Sequence, residues 1–220
     1  MNVGSIRRVG HRGGGDAERR ARGDQTRRDV IAAARSLFVD PGYHNTSVGD
    51  IVEKSGIGTR GAFYHHFKDK SDLFRMVFEE VHQDLVDRAI AHPPPGNAWD
   101  RLQLGLHGFL DAALEPEVQR IVLIDGPVVL GWQGLRAIEN AGGLELVREV
   151  LQEAMNDGAI QQLPLVELSH MVQAALEEAS LLVAQAHNKA KAKRSVGMIL
   201  DRLLFSLTPA AGRLVQKPKK

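Results

Sequence analysis

The sequence contains no cysteine, and only 5% of its 220 residues are aromatic. Without cysteine the chain can form neither disulfide bonds nor thiolate metal sites, which suits a protein of the reducing cytoplasm. No apolar run approaches the length that a membrane-spanning helix needs, and residues 1–23 lack the apolar stretch of a signal peptide. We therefore expect a cytoplasmic protein without a membrane segment. The hydrophobic content of 43% is still enough for a substantial core.

The formal net charge of +1 hides an uneven distribution along the chain. Residues 71–188 carry eighteen acidic against six basic residues, whereas residues 189–220 carry nine basic residues against one acidic residue. Residues 1–23 are rich in glycine and carry six arginines, which predicts a disordered basic arm. Two roles stay open for this arm: contacts to phosphates or a minor groove, or a dispensable tail. Its arginines are Arg7, Arg8, Arg12, Arg19, Arg20 and Arg22.

The stretch from Thr46 to Phe67 has the pattern of two short helices joined by a turn. Ser47 is a good N-cap residue, and Asp50, three residues later, completes a capping pair. Gly56 can adopt the left-handed conformation that ends a helix, and a second helical pattern follows it. Two short helices around a glycine-containing turn form a helix-turn-helix, whose second helix enters the DNA major groove.

Two enzyme alternatives arise from spacing alone. Residues 56–61 match the dinucleotide fingerprint G-x-G-x-x-G, but the fingerprint needs a preceding strand, and here the preceding residues repeat at helical spacing. Two Glu-x-x-His pairs have the spacing of di-iron helical bundles, with Glu178 and Asp111 as further carboxylates. These pairs are Glu79 with His82 and Glu167 with His170. Such spacings arise readily in acidic helices, so we predict neither an enzyme nor a cofactor or metal.

The segment from Gly61 to Phe74 resembles the recognition helix and the start of the fourth helix in TetR-family transcriptional regulators. The resemblance is strong from Thr26 to Phe78 and architectural beyond, with one residue more than usual between Gly56 and Tyr64. It implies an all-α fold, with a three-helix DNA-binding domain over 24–70 and a helical effector-binding and dimerisation domain over 71–210. Residues 211–220 would form a flexible basic tail.

The resemblance implies a homodimeric repressor that a small-molecule effector releases from a palindromic operator. An activator and a regulator without a ligand stay as alternatives. Ten residues would contact DNA. Those assigned to phosphate or backbone contacts are Thr46, Ser47, Tyr64, His65, Lys68 and Lys70, and His65 could also reach a base. Those assigned to the base edges are Thr59, Arg60, Gly61 and Ala62, with arginine able to bond guanine in two places.

The remaining periodic segments are all predicted to be helical. Thr26 would cap a first helix that ends at Phe38, and a long helix would run from Asp69 to about His92 as the connector between the domains. Further helices are predicted over 99–114, 117–124 and 144–155, with Gly126-Pro127 as a break. The last two helices, over about 165–187 and 195–207, are apolar on more than one face, which predicts a dimer interface.

An effector pocket would be mainly apolar with a few polar groups. Six residues of the larger domain fit this mixture, although each of them could equally fill the core. They are Phe78, His107, Phe109, Asp125, Trp132 and Met171.

Overall fold

The computed structural model describes residues 13–91, 96–140 and 142–209. Over these ranges the chain is helical with no strand, which confirms the all-α prediction. The α-helices are α1 (Gly13–Leu37), α2 (Val48–Ser55), α3 (Arg60–His66), α4 (Lys70–Ala91), α5 (Ala98–Ala112), α6 (Gly126–Asn140), α7 (Gly143–Asn156), α8 (Leu165–Gln185) and α9 (Lys189–Phe205). Two segments of π-helix, Phe38–Gly42 and Val118–Asp125, follow α1 and precede α6.

Helix α1 begins at Gly13, so residues 13–23 are helical and the prediction of a disordered arm was wrong for this part. Residues 17–22 are alanine, glutamate and arginine, which favour a helix, and Glu18 lies 3.9 Å from Arg22 one turn later. Thr26 is not a cap, because its hydroxyl donates to the Arg22 carbonyl inside the helix. Arg7, Arg8, Arg12 and the tail over 211–220 lie outside the described residues.

Helices α2 and α3 form as the local signals predict. The Asp50 amide donates to Ser47 Oγ and the Ser47 amide donates to Asp50 Oδ2, so the predicted capping pair is confirmed. These bonds, first from the Ser47 backbone, lower the pKa of Asp50. Gly56 ends α2 with a φ of 71°. The unit is held together by four buried phenylalanines, Phe38, Phe63, Phe67 and Phe74.

Helix α4 belongs to the first of two hydrophobic cores. Its N-terminal half contributes Leu73, Val77 and Phe78 to the core that α1–α3 share with the second π-helix. A second core lies among α5, α7, α8 and α9 and includes Leu110, Leu151 and Leu176. The DNA-binding unit therefore packs directly on the larger domain through α4 and the second π-helix.

The prediction that Gly126-Pro127 breaks the helix was wrong. Pro127 lies in the first turn of α6, where its missing N–H group is not needed, and the kink falls later, at Gly131 with φ 65°. The helical stretch Val118–Ile138 is consequently long and apolar enough, by length and composition, to cross a membrane. It is the one such helix in the described part of the chain, and it corrects the prediction that no run reaches this length.

Candidate nucleic-acid interface

One face of the helix-turn-helix exposes most of the residues that were assigned to DNA. Tyr64 is 56% exposed on α3, where its ring packs edge-on against buried Phe63. Five further predicted residues are also exposed: Ser47, Arg60, Gly61, His65 and Lys68. Ala62 is half-buried beneath them. Most of the ten predicted residues are therefore exposed.

The start of α2 and the start of α3 meet at Gly49. A Cβ atom placed on Gly49 would lie 3.1 Å from Arg60 Nη2 and 3.3 Å from Ser47 Oγ. The Arg60 guanidinium therefore reaches back toward the N-terminus of α2, where backbone amides and the helix dipole favour an anion. A side chain at position 49 would therefore require the guanidinium to shift by a few tenths of an ångström. The corner formed by Ser47, Gly49 and Arg60 suits one phosphate oxygen.

Thr59 has a structural task that the sequence prediction did not give it. It is the N-cap of α3, and its hydroxyl oxygen accepts a hydrogen bond from the Ala62 amide at 3.2 Å. The turn before it spans residues 56–59, and α3 begins at Arg60. Arg60 therefore stands at the first position of the recognition helix and Thr59 just outside it.

Thr46 does not offer its hydroxyl to phosphate, so this part of the prediction was wrong. The residue is 2% exposed, and its hydroxyl lies 2.8 Å from the Gly42 carbonyl and 3.1 Å from the Leu37 carbonyl. These contacts tie the end of α1 to the start of α2. A threonine next to an N-cap looks alike in sequence whether it points outward or inward.

Lys70 is likewise part of the scaffold and is not placed to contact phosphate. Its ammonium donates to the carbonyls of Tyr43 and Thr46, both at 2.8 Å, and lies 4.1 Å from the centroid of the Tyr43 ring. Burial lowers the pKa of Lys70 and, acting on the phenol, raises that of Tyr43. The lysine joins the start of α4 to the loop before α2, whereas exposed Lys68 still faces solvent.

Asp125 joins the larger domain to the DNA-binding unit. Its side chain is 4% exposed, accepts from Arg120 Nε at 2.9 Å and from the Tyr43 amide at 3.2 Å. The Arg120 guanidinium packs against Gly42, whose φ of 100° and closeness to the arginine leave no room for a side chain. Asp125 was predicted to bind an effector, but the structure uses its carboxylate in this joint. In the sequence, only the oppositely charged residues Arg120 and Asp125, five positions apart, hinted at an ion pair here.

A second set of ion pairs crosses the same joint. Arg35 of α1 lies 2.6 Å from Glu117 and 2.7 Å from Asp84 of α4, and hydrogen bonding to Glu117 raises the pKa of the guanidinium. The three side chains line a charged cleft of about 470 Å³ with Arg88. Movement of α4 or of the second π-helix is thereby coupled to α1 through bonded groups.

The six predicted effector residues do not converge on one pocket. Phe78 is fully buried against Gly126, and His107 is 2.8 Å from Asp201, where it links α5 to α9. Phe109 is partly buried between the two cores. These residues fill core or bridge helices in this structure, and effector binding by them stays a prediction.

Trp132 and Met171 lie at the surface instead, 69% and 71% exposed. The Arg136 guanidinium lies 4.5 Å from the Trp132 ring centroid and 2.9 Å from Nδ1 of His170, the residue before Met171. Burial raises the pKa of nearby Glu177, although Gln173, Arg136 and His170 oppose the shift. The α6–α8 surface thus combines exposed apolar groups with a polar cluster.

Helices α8 and α9 expose an unusual number of large apolar side chains. On α8, Met171 and Leu182 are at least half exposed. On α9 the corresponding residues are Met198, Ile199, Leu203 and Phe205, exposed by 54–58%. We call these residues the α8–α9 apolar surface. Large apolar surfaces that are exposed to solvent mark interaction sites.

The two enzyme alternatives find no structural context. Helix α2, rather than a strand, precedes the glycines of 56–61. His82 is buried and stacks on Phe78, and His170 is bonded to Arg136. Among the described residues no group of three or more His, Asp or Glu side chains is arranged to hold a metal ion.

Two family models match the chain. The model for bacterial regulatory proteins of the tetR family matches residues 30–77, and a tetracyclin repressor-like C-terminal domain model matches residues 99–207. The first covers the helix-turn-helix and the second covers α5–α9. Together they include most residues of both cores.

Individual proteins show the same likeness. HTH-type transcriptional regulator AcrR of Shigella flexneri is 33% identical over 101 residues, which are 45% of this chain and 46% of that protein. The chain spans about half the length of the curated relatives that it matches. The crystal structure of a TetR-family transcriptional regulator from Pectobacterium atrosepticum is 29% identical, with a TM-score of 0.76 over 86% of this chain and 97% of that one. FadR from Bacillus subtilis, solved with stearoyl-CoA, shares the fold at 21% identity, with a TM-score of 0.62 over 78% of this chain and 96% of FadR.

Proposed function

The chain belongs to the TetR family of bacterial regulatory proteins, and we propose that it is a sequence-specific DNA-binding transcriptional repressor of the cytoplasm. The observation that carries this proposal is the outward face of α3. Arg60 and Tyr64 stand exposed there on a helix that capping and a phenylalanine core hold rigidly. Such a helix reads base edges in the major groove.

The side chains divide into two kinds of DNA contact. Arg60 and Gly61 begin the recognition helix and are nearest the base edges, where arginine bonds guanine. Ser47, Tyr64, His65 and Lys68 surround them and contact the phosphate backbone. Thr46 and Lys70 fix the geometry of this face from inside.

Two copies of the chain form the functional unit. The α8–α9 apolar surface is covered by the same surface of a second copy, which produces a two-fold dimer with two recognition helices. A two-fold dimer reads a palindrome with half-sites about one helical turn apart. Burial of exposed leucine and phenylalanine side chains provides the association energy.

A small molecule bound in the larger domain releases the operator. The ligand favours a dimer in which the two recognition helices no longer fit successive major grooves. A coupling of a few kcal/mol is enough for release by about 100-fold. The joint of Asp125, Arg120 and Tyr43 transmits the change, because it bonds the second π-helix to the loop before α2. The protein acts through binding and catalyses no reaction.

Selection of bound duplexes from a random DNA pool at near-physiological salt tests the proposal. The wild-type protein is expected to enrich a palindrome. Arg60→Ala should relax the preference at a fixed position in each half-site, at a cost of about 1–3 kcal/mol for that base pair. Lys68→Ala is the matched control and should weaken all duplexes alike. Enrichment of no sequence by the wild-type protein would overturn the proposal, and altered preference in Lys68→Ala would overturn the assignment of roles.

A further inference from the structure

A basic groove lies between the N-terminal half of α1 and the C-terminal end of α3. Its volume is about 470 Å³. The residues that line it are Arg19, Arg20, Gly23, Asp24, Arg27, His65 and His66. We call it the α1–α3 groove. One wall of the groove is the N-terminal part of α1, which precedes the helix-turn-helix in the chain. Among the lining residues, only His65 was assigned to a DNA contact above.

Contacts between α1 and its neighbours define the base of the groove. A Cβ atom on Gly23 would lie 4.0 Å from His66 Cε1, so α1 passes α3 at close range. One turn further on, the Arg27 guanidinium donates to Met76 Sδ at 2.7 Å and lies 5.8 Å from the centroid of the Phe67 ring. Both contacts hold α1 against the recognition helix and α4. Arg19 and Arg20 extend from this anchored part along one continuous helix.

The charge in the groove is strongly of one sign. Three arginines face a single aspartate, and the two histidines add positive charge when they are protonated. No ion pair engages Arg19 or Arg20 with any side chain that the structure describes. Guanidinium groups in such a cleft favour phosphate, which they bind with two parallel hydrogen bonds.

The groove also continues the DNA-facing surface. His65 belongs to both, since it lines the groove and stands beside exposed Tyr64 on α3. Arg19 and Arg27 are separated by about two helical turns, or roughly 12 Å along α1. A nucleic-acid strand that leaves the recognition helix at its C-terminal end would therefore pass along this row of arginines.

We propose that the α1–α3 groove binds the DNA phosphate backbone that flanks each half-site. The recognition helix is then held between two phosphate contacts, one at the corner of Ser47, Gly49 and Arg60 and the other in this groove. The inference rests on the proposed function, since it requires that α3 read DNA. It gives the basic N-terminal segment a defined place in the complex, with Arg19 and Arg20 as positioning residues.

The test compares two double variants on the palindrome that the wild-type protein selects. Arg19→Ala/Arg20→Ala removes two charges from the groove, and Arg22→Ala/Arg28→Ala removes two charges from the same helix outside the groove lining. Alanine preserves the helix in both, which circular dichroism verifies. The slope of log K against log salt should fall by about 1.8 per protomer in the groove variant, and by less than half of that in the control.

Phosphate neutralisation locates the contact. Methylphosphonate groups placed in the flanks of the half-site should weaken the wild-type protein and leave the groove variant unaffected. Equal slopes for the two double variants, or full sensitivity of the groove variant to the neutral flank, would overturn the groove assignment alone if Arg60→Ala still relaxes base preference. Absence of any selected sequence for the wild-type protein would overturn the proposed function and the groove assignment together.

Discussion

Two exposed surfaces of the molecule have side chains of opposite character. One is the recognition face, which we define as Ser47, Arg60, Gly61, Tyr64, His65 and Lys68, and the other is the α8–α9 apolar surface. On the first face, apolar rings such as Phe63 are buried and Arg60, His65 and Lys68 face outward. On the second, Leu203 and Phe205 are more than half exposed. The first surface is compatible with water and a polyanion. The second has an unfavourable hydration free energy, which is relieved when another apolar surface covers it. The first region is thus suited to DNA, and the second to contact with another apolar surface, as the proposed dimer requires.

A charge placed on the α8–α9 apolar surface should disrupt the proposed dimer. Leu203→Glu should weaken the dimer by about 4 kcal/mol, or roughly 1000-fold, because two-fold symmetry places two carboxylates in one interface. Sedimentation equilibrium measures the dimer, and operator affinity should fall with it. Leu104→Glu is the matched control: this leucine is 48% exposed on α5, outside the apolar surface, and its replacement should leave the dimer intact.

The joint between the two regions comes next in expected effect. Asp125→Asn removes a buried charge and leaves Arg120 without its partner, which should lower the free energy of unfolding by about 3 kcal/mol. Urea denaturation measures the loss. Asp201→Asn, at a half-exposed pair with His107, is the control and should change the stability much less. Equal losses for the two variants would show that the joint has no special role.

Lys68 and Lys70 are only two residues apart, but the structure gives them different roles. Lys70→Ala should lower the free energy of unfolding by about 2 kcal/mol, because two backbone carbonyls lose a charged donor. Lys68→Ala should leave stability unchanged and reduce the salt slope of DNA binding by about 1. The same two measurements on each variant decide the matter, and a reversed pattern would contradict the structural placement of the lysines.

The smallest expected effect is a pH dependence in α4, which connects the two regions. Burial lowers the pKa of His82 below its ordinary value of 6.5, so the unfolded chain takes up a proton before the folded chain does. Stability should therefore fall as the pH decreases from about 6.5 through the lowered pKa of the folded state. His82→Gln should flatten the profile measured by urea denaturation between pH 7.5 and pH 5.5, and an unchanged slope would refute the assignment.

The helix-turn-helix could be predicted from the sequence because its signals are short-range. The pairing of Ser47 with Asp50 and the left-handed Gly56 act within a few residues, so α2 and its ends could be predicted. Thr46 and Lys70 could not be assigned correctly, because their partners are brought close only by packing of α1, α2 and α4. The start of α1 was missed since glycines outweighed the helix-favouring alanine, glutamate and arginine.

For the larger domain, the sequence predicted the helices but not the contacts between them. The periodic apolar residues of α7 and α8 predicted these elements and the apolar surface, but not which side chains meet across helices. Asp125 contacts the Tyr43 amide 82 positions away, and no local pattern encodes that contact. Trp132 and Met171 are exposed although their residue types are typical of a core, so a shared effector lining could not be derived from composition.

If one surface binds DNA while the other joins two chains, the complex with DNA must have the mass of a dimer on one duplex. Analytical ultracentrifugation of the 24.1 kDa chain with its selected duplex should show two chains per palindrome, and a dimer already present without DNA. Leu203→Glu should convert the free protein to monomers and abolish the complex at the same concentration. A monomeric wild-type chain that binds the duplex one to one with full affinity would contradict the account.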